Sequence, residues 1–257
     1  MDIATIFGLV LGLGAILGGA VLEGLHFGSL IQPTAAIIVL GGTFGAAFIS
    51  FPMSTAIQAF KDLRLLFSSP QKPDEIIPVI LELATRARKN GILSLEEDSK
   101  NSKELFLRKA LVLCVDGVEP KDVQEILEIE LGTYEEHAKM SVEFFEAAGG
   151  YAPTIGIIGA VLGLIHVMSN LADASKLGEG IAVAFVATIY GLVTANIICL
   201  PFATKIKMRI KNELQRKEML TTGIIGIQQG SNPRFIEERL KSFIPGGGHS
   251  TSSDEAQ

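Results

Sequence analysis

The chain alternates long apolar runs with long charged segments, and the apolar runs come in two pairs. Residues 3–22, 33–51, 150–171 and 181–203 contain no aspartate, glutamate, lysine or arginine. Each run is close to the roughly 20 apolar residues that cross a bilayer core. The pattern predicts an all-α membrane protein with four transmembrane helices, arranged as two hairpins.

The polar segment between the second and third spans has helical periodicity. From Asp74 to Asn90, apolar residues recur at the i, i+3, i+4 spacing of one buried face, and Gly91 follows as a C-cap. Ser94 to Glu97 has the form of a capping box, which predicts that another helix starts there. Val123 to Phe145 is amphipathic and is predicted to continue into the third span as one long helix.

These elements divide the chain into four regions. Residues 1–52 are predicted to form the first hairpin, and residues 149–204 the second. Residues 53–148 are predicted to form a large helical domain on one side of the membrane, and residues 205–257 to extend the fourth span as a helix. Gly246 to Gln257 is polar and glycine-rich, so we expect this tail to be disordered.

The distribution of positive charge sets the orientation. Of the 22 lysines and arginines, all except Lys176 lie between the two hairpins or after Thr204. Lysine and arginine beside a span favour the cytoplasmic side, so both polar regions and both termini are predicted to be cytoplasmic. The basic residues just after the fourth span also suit contact with membrane lipid headgroups, although a plain positive-inside flank explains the same charges.

Composition agrees with a membrane protein and narrows the function. Hydrophobic residues make up 48% of the chain and the mean hydropathy is +0.39, which is too apolar for an ordinary soluble domain. The net charge of -6, without a basic stripe, argues against a nucleic-acid partner. Cys114 and Cys199 fall in different environments, so we expect neither a disulfide nor a metal site. No catalytic motif such as HExxH or a P-loop is present, so we expect neither an enzyme nor a cofactor site.

Two prolines stand near the charged ends of the second hairpin. Pro153 comes seven residues after Glu146 and Pro201 four residues before Lys205, so an antiparallel hairpin is predicted to place them side by side. Proline removes a backbone donor, and in lipid the freed carbonyl needs protein or a water-lined cavity. The pair therefore predicts a flexible or hydrated joint, whereas Pro153 alone is also typical of a helix start.

Glycines recur at four-residue spacing in all but the fourth span, which favours close packing of helices in lipid and predicts oligomers. The pairs are Gly8 and Gly12, Gly14 and Gly18, Gly41 and Gly45, and Gly159 and Gly163.

No carboxylate lies inside any of the four spans. By itself the chain therefore lacks the group that normally carries a proton or cation through a bilayer. His166 is of a residue type that suits a proton relay, although a lone polar group near the interface is the simpler interpretation. Thr154, Thr188, Thr194 and Asn196 are candidates for lining a cavity or for hydrogen bonding between helices.

Three stretches resemble a known family. They read APTIGIIGAVLGLIHVM from Ala152, LGEGIAVAFVATIYGLVTANIICLPFA from Leu177, and RARKNGILSLEED from Arg86. They are similar to the third and fourth membrane helices and the rotor-facing loop of the MotA family of flagellar motor stator subunits, part of the wider MotA/TolQ/ExbB proton channel group. The resemblance covers nearly the whole chain up to about Phe243.

The resemblance implies an ion-driven torque generator in the bacterial inner membrane. In the family, several copies, normally a pentamer, surround two MotB subunits, each with a single span that brings a membrane aspartate and an outer domain that grips peptidoglycan. Pro153 and Pro201 match the family's conformational coupling residues. Arg88 and Glu96 match the pair that contacts the rotor switch protein FliG, and a solvated surface helix is the alternative interpretation of these two charges.

The resemblance also bears on the ion. Sodium-type relatives have a threonine at the position of Ala160, and they keep one equivalent to Thr188. With one of two hydroxyls missing, proton coupling is favoured, although Tyr190 and Asn196 still offer oxygens. We expect Ala160, Thr188 and Tyr190 to lie along the ion path, with Ala160 and Thr188 at comparable depth.

Three other functions are weighed against this one. An ExbB or TolQ energiser for outer-membrane transport typically has three spans and an outside N-terminus. A self-sufficient channel would need its own intramembrane acid. An interaction scaffold without ion flux is favoured only if no partner helix exists.

Overall fold

The structure is a computed structural model that describes residues 3–68, 72–102, 104–171 and 174–244, with only the backbone described at 174–176. The predicted disorder of Gly246 to Gln257 lies outside these residues.

The chain forms two compact units, each built from two separate stretches of sequence. The first, which we call the membrane unit, comprises Met1–Ser69 and Ala138–Met208. The second, which we call the helical unit, comprises Pro70–His137 and Arg209–Gln257.

Four helical segments are long and apolar enough to cross a membrane, which confirms the prediction of four spans with a large helical region between the second and third. They are Ile3–Leu22, Phe27–Ser50, Pro120–Ser169 and Leu177–Gln228.

The first hairpin contains one regular span and one interrupted span. Helix α1 (Ile3–Leu22) is followed by the short α2 (Phe27–Leu30). Pro33 is the first residue of α3, a position at which the backbone N–H that proline lacks is not needed. The second span contains α3 (Pro33–Ala36), a π-helical turn (Ile37–Gly41) and α4 (Gly42–Ser50). The π-helical turn was not predicted.

Two short helices follow Pro52, and the second of them is hydrogen-bonded to the start of span 1, which in turn contacts the end of span 4. They are α5 (Met53–Asp62) and α6 (Arg64–Phe67). The Thr5 hydroxyl donates to the Leu66 carbonyl at 3.0 Å and accepts a hydrogen bond from Lys205 Nζ.

The buried ring of Phe144 lies against four other aromatic rings of the membrane unit. They are Phe48, Phe51, Phe60 and Phe145.

The third and fourth spans both continue as long helices. Helix α10 (Pro120–Ser169) is one unbroken helix of 50 residues, which confirms the predicted continuation into the third span. The fourth span runs without interruption through α11 (Ala174–Val193), a π-helical segment (Thr194–Cys199) and α12 (Leu200–Gln228). Its predicted extension as a helix is therefore confirmed as far as Gln228.

The helical unit is built around one apolar core. Its further helices are α7 (Ile76–Asn90), α8 (Glu96–Asn101), α9 (Leu105–Val115) and α13 (Pro233–Lys241). Two 3-10 turns, Pro73–Glu75 and Ile92–Leu95, complete the unit. The largest fully buried side chains of its core are Ile80, Leu95, Leu111, Leu127, Met219, Leu220, Ile224, Ile236 and Leu240.

The loop after α7 differs from its prediction in one respect. Gly91 ends the helix as predicted, with φ of 83°, a backbone conformation that favours glycine. The capping box at Ser94, however, is wrong. The Ser94 hydroxyl donates to the Gly91 carbonyl at 2.6 Å, and α8 begins at Glu96 with no side-chain cap. The 3-10 turn after Gly91 has moved the helix start one residue along, so that Leu95 rather than Ser94 is the N-cap.

Candidate functional site in the second membrane hairpin

Spans 3 and 4 approach so closely that their backbones touch. A methyl group placed on Gly163 would lie 2.7 Å from the Gly180 carbonyl oxygen, and one on Gly191 would lie 2.6 Å from the Ala152 oxygen. A methyl group placed on Gly156 would lie 2.9 Å from the Ala187 carbonyl oxygen. Only glycine permits this spacing without displacing the neighbouring helix.

The predicted glycine pairs are not equivalent within one chain. Gly159 and Gly163 make close contacts in the second hairpin, and Gly159 abuts Ala187. A methyl group on Gly8, Gly14, Gly18, Gly41 or Gly45 would meet nothing within 4 Å, and one on Gly12 would only touch Ile197 at 3.4 Å. The close packing predicted for these pairs is therefore confirmed, within one chain, in the second hairpin alone.

The prediction that Pro153 and Pro201 lie at matched depth within one chain is wrong. Gly149, three residues after Glu146, already faces Cys199, so Pro201 is level with residues near 147. At about 1.5 Å rise per residue, Pro153 lies roughly 9 Å away along the helix axis. The predicted depths were counted from Glu146 and Lys205, and these two residues do not lie at the same level along the hairpin.

The two prolines differ in surroundings as well as in depth. Pro153 lies inside α10 and is half-buried, so it is not a helix start. Pro201 is exposed and comes two residues after the π-helical segment Thr194–Cys199. π-Helical turns inserted in α-helices are frequent at functional sites, and they leave the local hydrogen-bond ladder irregular.

Ala160 and Thr188 lie at comparable depth, as predicted. Their neighbours Gly159 and Ala187 are in contact across the hairpin, and both residues are half-buried. The Thr188 hydroxyl donates to the Ala184 carbonyl at 3.2 Å within its own helix, which leaves its lone pairs free to accept.

Tyr190 has a structural contact that the sequence did not indicate. Its hydroxyl donates to the Leu30 carbonyl at 2.6 Å and accepts from the Gln32 amide at 3.3 Å. These backbone groups lie just before Pro33, the first residue of α3. The Tyr190 hydroxyl, which was expected to line an ion path, is thus hydrogen-bonded to the backbone before Pro33. Asn196, the other candidate, is exposed and donates to the Leu192 carbonyl at 3.0 Å.

His166 lies on the exposed side of span 3, where its ring approaches the position of a methyl group on Gly180 within 3.3 Å. The charge-free runs 150–171 and 181–203 contain no acidic side chain, and Glu179 precedes the Gly180 that His166 approaches.

Arg88 and Glu96 belong to the helical unit. Both side chains are exposed, Arg88 in the last turn of α7 and Glu96 at the start of α8. Glu96 forms an ion pair with Lys100 at 2.6 Å, and this hydrogen bond and charge lower the pKa of the Glu96 carboxyl. Arg88 lines an open cavity beside Leu93 and Ser231.

Gly156, Gly180 and Gly191 were missed by the four-residue glycine pattern. The signal was present in another form, because Ala187 and Gly191, like Ala184 and Thr188, are small residues four apart. Alanine and threonine count with glycine as small contact residues in lipid.

Comparison with known proteins gives a consistent result. A family model described as Motility protein A N-terminal matches residues 6–91, and one described as the MotA/TolQ/ExbB proton channel family matches residues 98–219. Motility protein A of Bacillus subtilis is 34% identical over 95% of this chain and 92% of its own. Motility protein A of Helicobacter pylori is 36% identical over 96% of each chain.

The chain belongs to the MotA family. The fold agrees, since a solved structure of C. jejuni MotAB superposes with a TM-score of 0.90 at 32% identity, covering 96% of this chain and 97% of that one. MotA family members are flagellar motor stator subunits of the proton channel type, and this chain is a stator subunit with the multi-pass membrane architecture of the family.

Proposed function

We propose that this chain conducts ions only together with a single-span partner of the MotB kind, and that ion flow through the pair drives rotation of the flagellar rotor. The observation that carries the proposal is the complete absence of Asp and Glu from residues 3–22, 33–51, 150–171 and 181–203. A carboxylate is the usual proton or cation carrier within a bilayer, so it must come from another helix. The C. jejuni relative is a MotAB complex, which supports a partner of this type.

Protons are the proposed ion. A sodium ion must be dehydrated and held by several oxygens. At the depth of Thr188 the facing span offers the methyl group of Ala160, and the Tyr190 hydroxyl is engaged with Leu30 and Gln32. The oxygens available for a dehydrated cation are therefore few, whereas a proton needs only one carboxylate and a water chain.

Coupling between the ion and movement is assigned to Pro153 and Pro201. Each proline leaves the carbonyl four residues earlier without its usual donor, namely those of Gly149 and Ile197. Gly149 faces Cys199 at the end of the π-helical segment, so the weakened parts of the two helices lie next to one another. This arrangement supports a hinge in the hairpin that responds to a change of membrane charge.

Torque is proposed to pass to the rotor switch protein FliG through Arg88 and Glu96. Both side chains are exposed on neighbouring helices of the helical unit, so they are accessible to a protein surface. Both termini and the helical unit are placed in the cytoplasm, and residues 149–204 in the inner membrane, because the lysines and arginines flank the spans on one side. Five copies around two partner helices is the proposed assembly.

Deletion of the gene tests the proposal. We expect cells that keep normal filaments but do not swim, with motility restored by the full chain. Loss of the filament itself would contradict the proposal. Unaffected swimming together with impaired siderophore uptake would instead indicate an ExbB-like energiser.

A further inference from the structure

Within the helical unit, helix α10 separates two open cavities of opposite charge. The first has a volume of about 670 Å³, and its charged or titratable lining consists of Lys109, Lys217, His137 and a single acid, Glu130. Lys109 forms an ion pair with Glu130, so the net positive charge of this lining comes from Lys217. We call it the basic face. The second has a volume of about 480 Å³ and is lined by three acids and one base. These are Glu128, Glu135, Glu218 and Arg239, and we call this surface the acidic face.

The two faces lie on opposite sides of the helix. At about 100° per residue, Ile126, Thr133 and His137 fall within roughly 20° of one direction. Glu128 and Glu135 fall roughly 180° from it. One copy of the chain therefore presents positive and negative surfaces in opposite directions.

Lys217 on the basic face lacks acceptors for its ammonium group. Its side chain is only 14% exposed, and burial lowers its pKa. Among the described residues, its nearest partners are the Tyr134 ring, at 3.7 Å from Nζ to the centroid, and Glu213 Oε1 at 4.0 Å. No hydrogen-bond acceptor lies within bonding distance in that part of the chain, although an ammonium has three protons to donate.

The basic face is also rimmed by aliphatic side chains that nothing in the described chain covers. Ile129 on α10 is 63% exposed, and Leu105 and Val112, one turn either side of Lys109 on α9, are 74% and 39% exposed. These residues lie in the charged region between the two hairpins, outside the charge-free runs that cross the membrane, so lipid does not cover them. A charged patch rimmed by large apolar residues marks a protein contact.

We propose that the basic face of one copy packs against the acidic face of the next copy of this chain. Because the two faces differ and point in opposite directions, the contact is head-to-tail rather than two-fold, and repetition of such a contact closes a ring. A carboxylate of the acidic face supplies the acceptor that Lys217 lacks. The inference rests on the oligomer of the proposed function and specifies which surfaces build it.

Cysteine cross-linking in membranes tests the direction of packing, using the full chain expressed with its partner subunit. Leu105→Cys marks the rim of the basic face and Glu128→Cys the acidic face, because cysteines at the adjacent positions 128 and 129 would be linked within one chain. The native Cys114 and Cys199 are 2% and 1% exposed, so the wild-type chain serves as the unreactive control. With a short bis-maleimide, we expect each single variant to stay monomeric, the two singles expressed together to give dimers only, and the double variant to give a ladder of larger products.

Several results would overturn the inference. Dimers from either single variant alone would show a two-fold contact. If no variant gives cross-linked products, the two faces do not contact a second copy of the chain. This conclusion holds whether or not the cysteines react with a monofunctional maleimide.

Charge exchange gives an independent measurement on the same faces. Glu128→Lys or His137→Glu alone should weaken assembly in detergent at least tenfold, because like charges then meet, while Glu128→Gln should change it much less. The combined Glu128→Lys and His137→Glu variant should recover to within about threefold of wild type, since the signs are complementary again. Assembly that ignores all three charge changes would contradict the inference. The two proposals can fail separately. If cross-linking gives a ladder but deletion of the gene leaves swimming intact, the contact between copies stands and the proposed motor function is rejected.

Discussion

Adding one methyl group to Gly163 should destabilise the second hairpin. A methyl at this position would lie 2.7 Å from the Gly180 oxygen and 2.8 Å from the Ala184 nitrogen, both backbone atoms that move only with span 4. Gly150, in the same helix α10, has nothing within 4 Å of its own methyl position. Gly163→Ala therefore introduces a clash that Gly150→Ala does not.

Comparing these two variants isolates the free-energy cost of the clash between the two backbones. Both gain about 1 kcal/mol of helix propensity by losing glycine. Only Gly163→Ala also suffers overpacking, which typically costs about 1–3 kcal/mol. The difference between the two free energies of unfolding should thus be about 1–3 kcal/mol, or roughly 5- to 150-fold in the unfolding equilibrium.

The measurement is reversible unfolding in mixed detergent micelles, followed by circular dichroism of the full chain. Gly163→Ala should unfold at a lower denaturing-detergent fraction than wild type, and Gly150→Ala at an equal or higher one. Equal stability of the two variants would refute the close contact of the two backbones, and with it the register on which the positions of the prolines depend.

The other predictions concern single residues. Tyr190→Phe should cost about 1 kcal/mol in the same unfolding assay, because the Leu30 carbonyl loses its donor; an unchanged midpoint would show that this bond is not formed. Burial raises the pKa of the Cys114 thiol to about 11, so alkylation of Cys114 in the folded chain should be slow at pH 8 and accelerate towards pH 11, as mass spectrometry would show; fast labelling at pH 8 would contradict its burial. Reversing the charge of Arg88 or Glu96 should lower torque on tethered cells without lowering membrane insertion, and normal torque in both variants would remove their assigned role. Swimming speed at constant proton motive force should not depend on external sodium.

Features set by long apolar runs and by single breakers were predictable from the sequence. The four spans follow from the length of the charge-free runs, and Pro33 and Gly91 mark boundaries because each has a conformational reason to be there. The long helix α10 was also predicted, because amphipathic and apolar stretches follow one another directly, and it continues through Gly149, Gly150 and Pro153 although these residues weaken a helix.

The register of the second hairpin was not predictable from charge positions. Depth counted from Glu146 and Lys205 placed the prolines level, whereas the contact of Gly149 with Cys199 offsets them. The register of two helices depends on which small residues come into contact. These contacts cannot be read from the sequence of one helix alone, because they depend on the helix that faces it. The same holds for Tyr190, whose partners Leu30 and Gln32 are about 160 residues away in sequence.

The π-helical turns had no sequence signal. Ile37–Gly41 and Thr194–Cys199 consist of ordinary apolar and small residues, and a one-residue insertion in a hydrogen-bond ladder does not alter hydrophobic periodicity over such short lengths. The capping box at Ser94 failed for a related reason, because a local hydrogen bond to Gly91 competed with the predicted cap.

Proton flux into vesicles tests the central claim most directly. The purified chain alone, reconstituted under an imposed membrane potential, should give no steady flux above that of empty vesicles, because its spans contain no carboxylate. Co-reconstitution with the single-span partner, freed from any block by its own outer region, should give flux that disappears when the partner's membrane aspartate is changed to asparagine. A steady proton current through the chain alone would contradict the account.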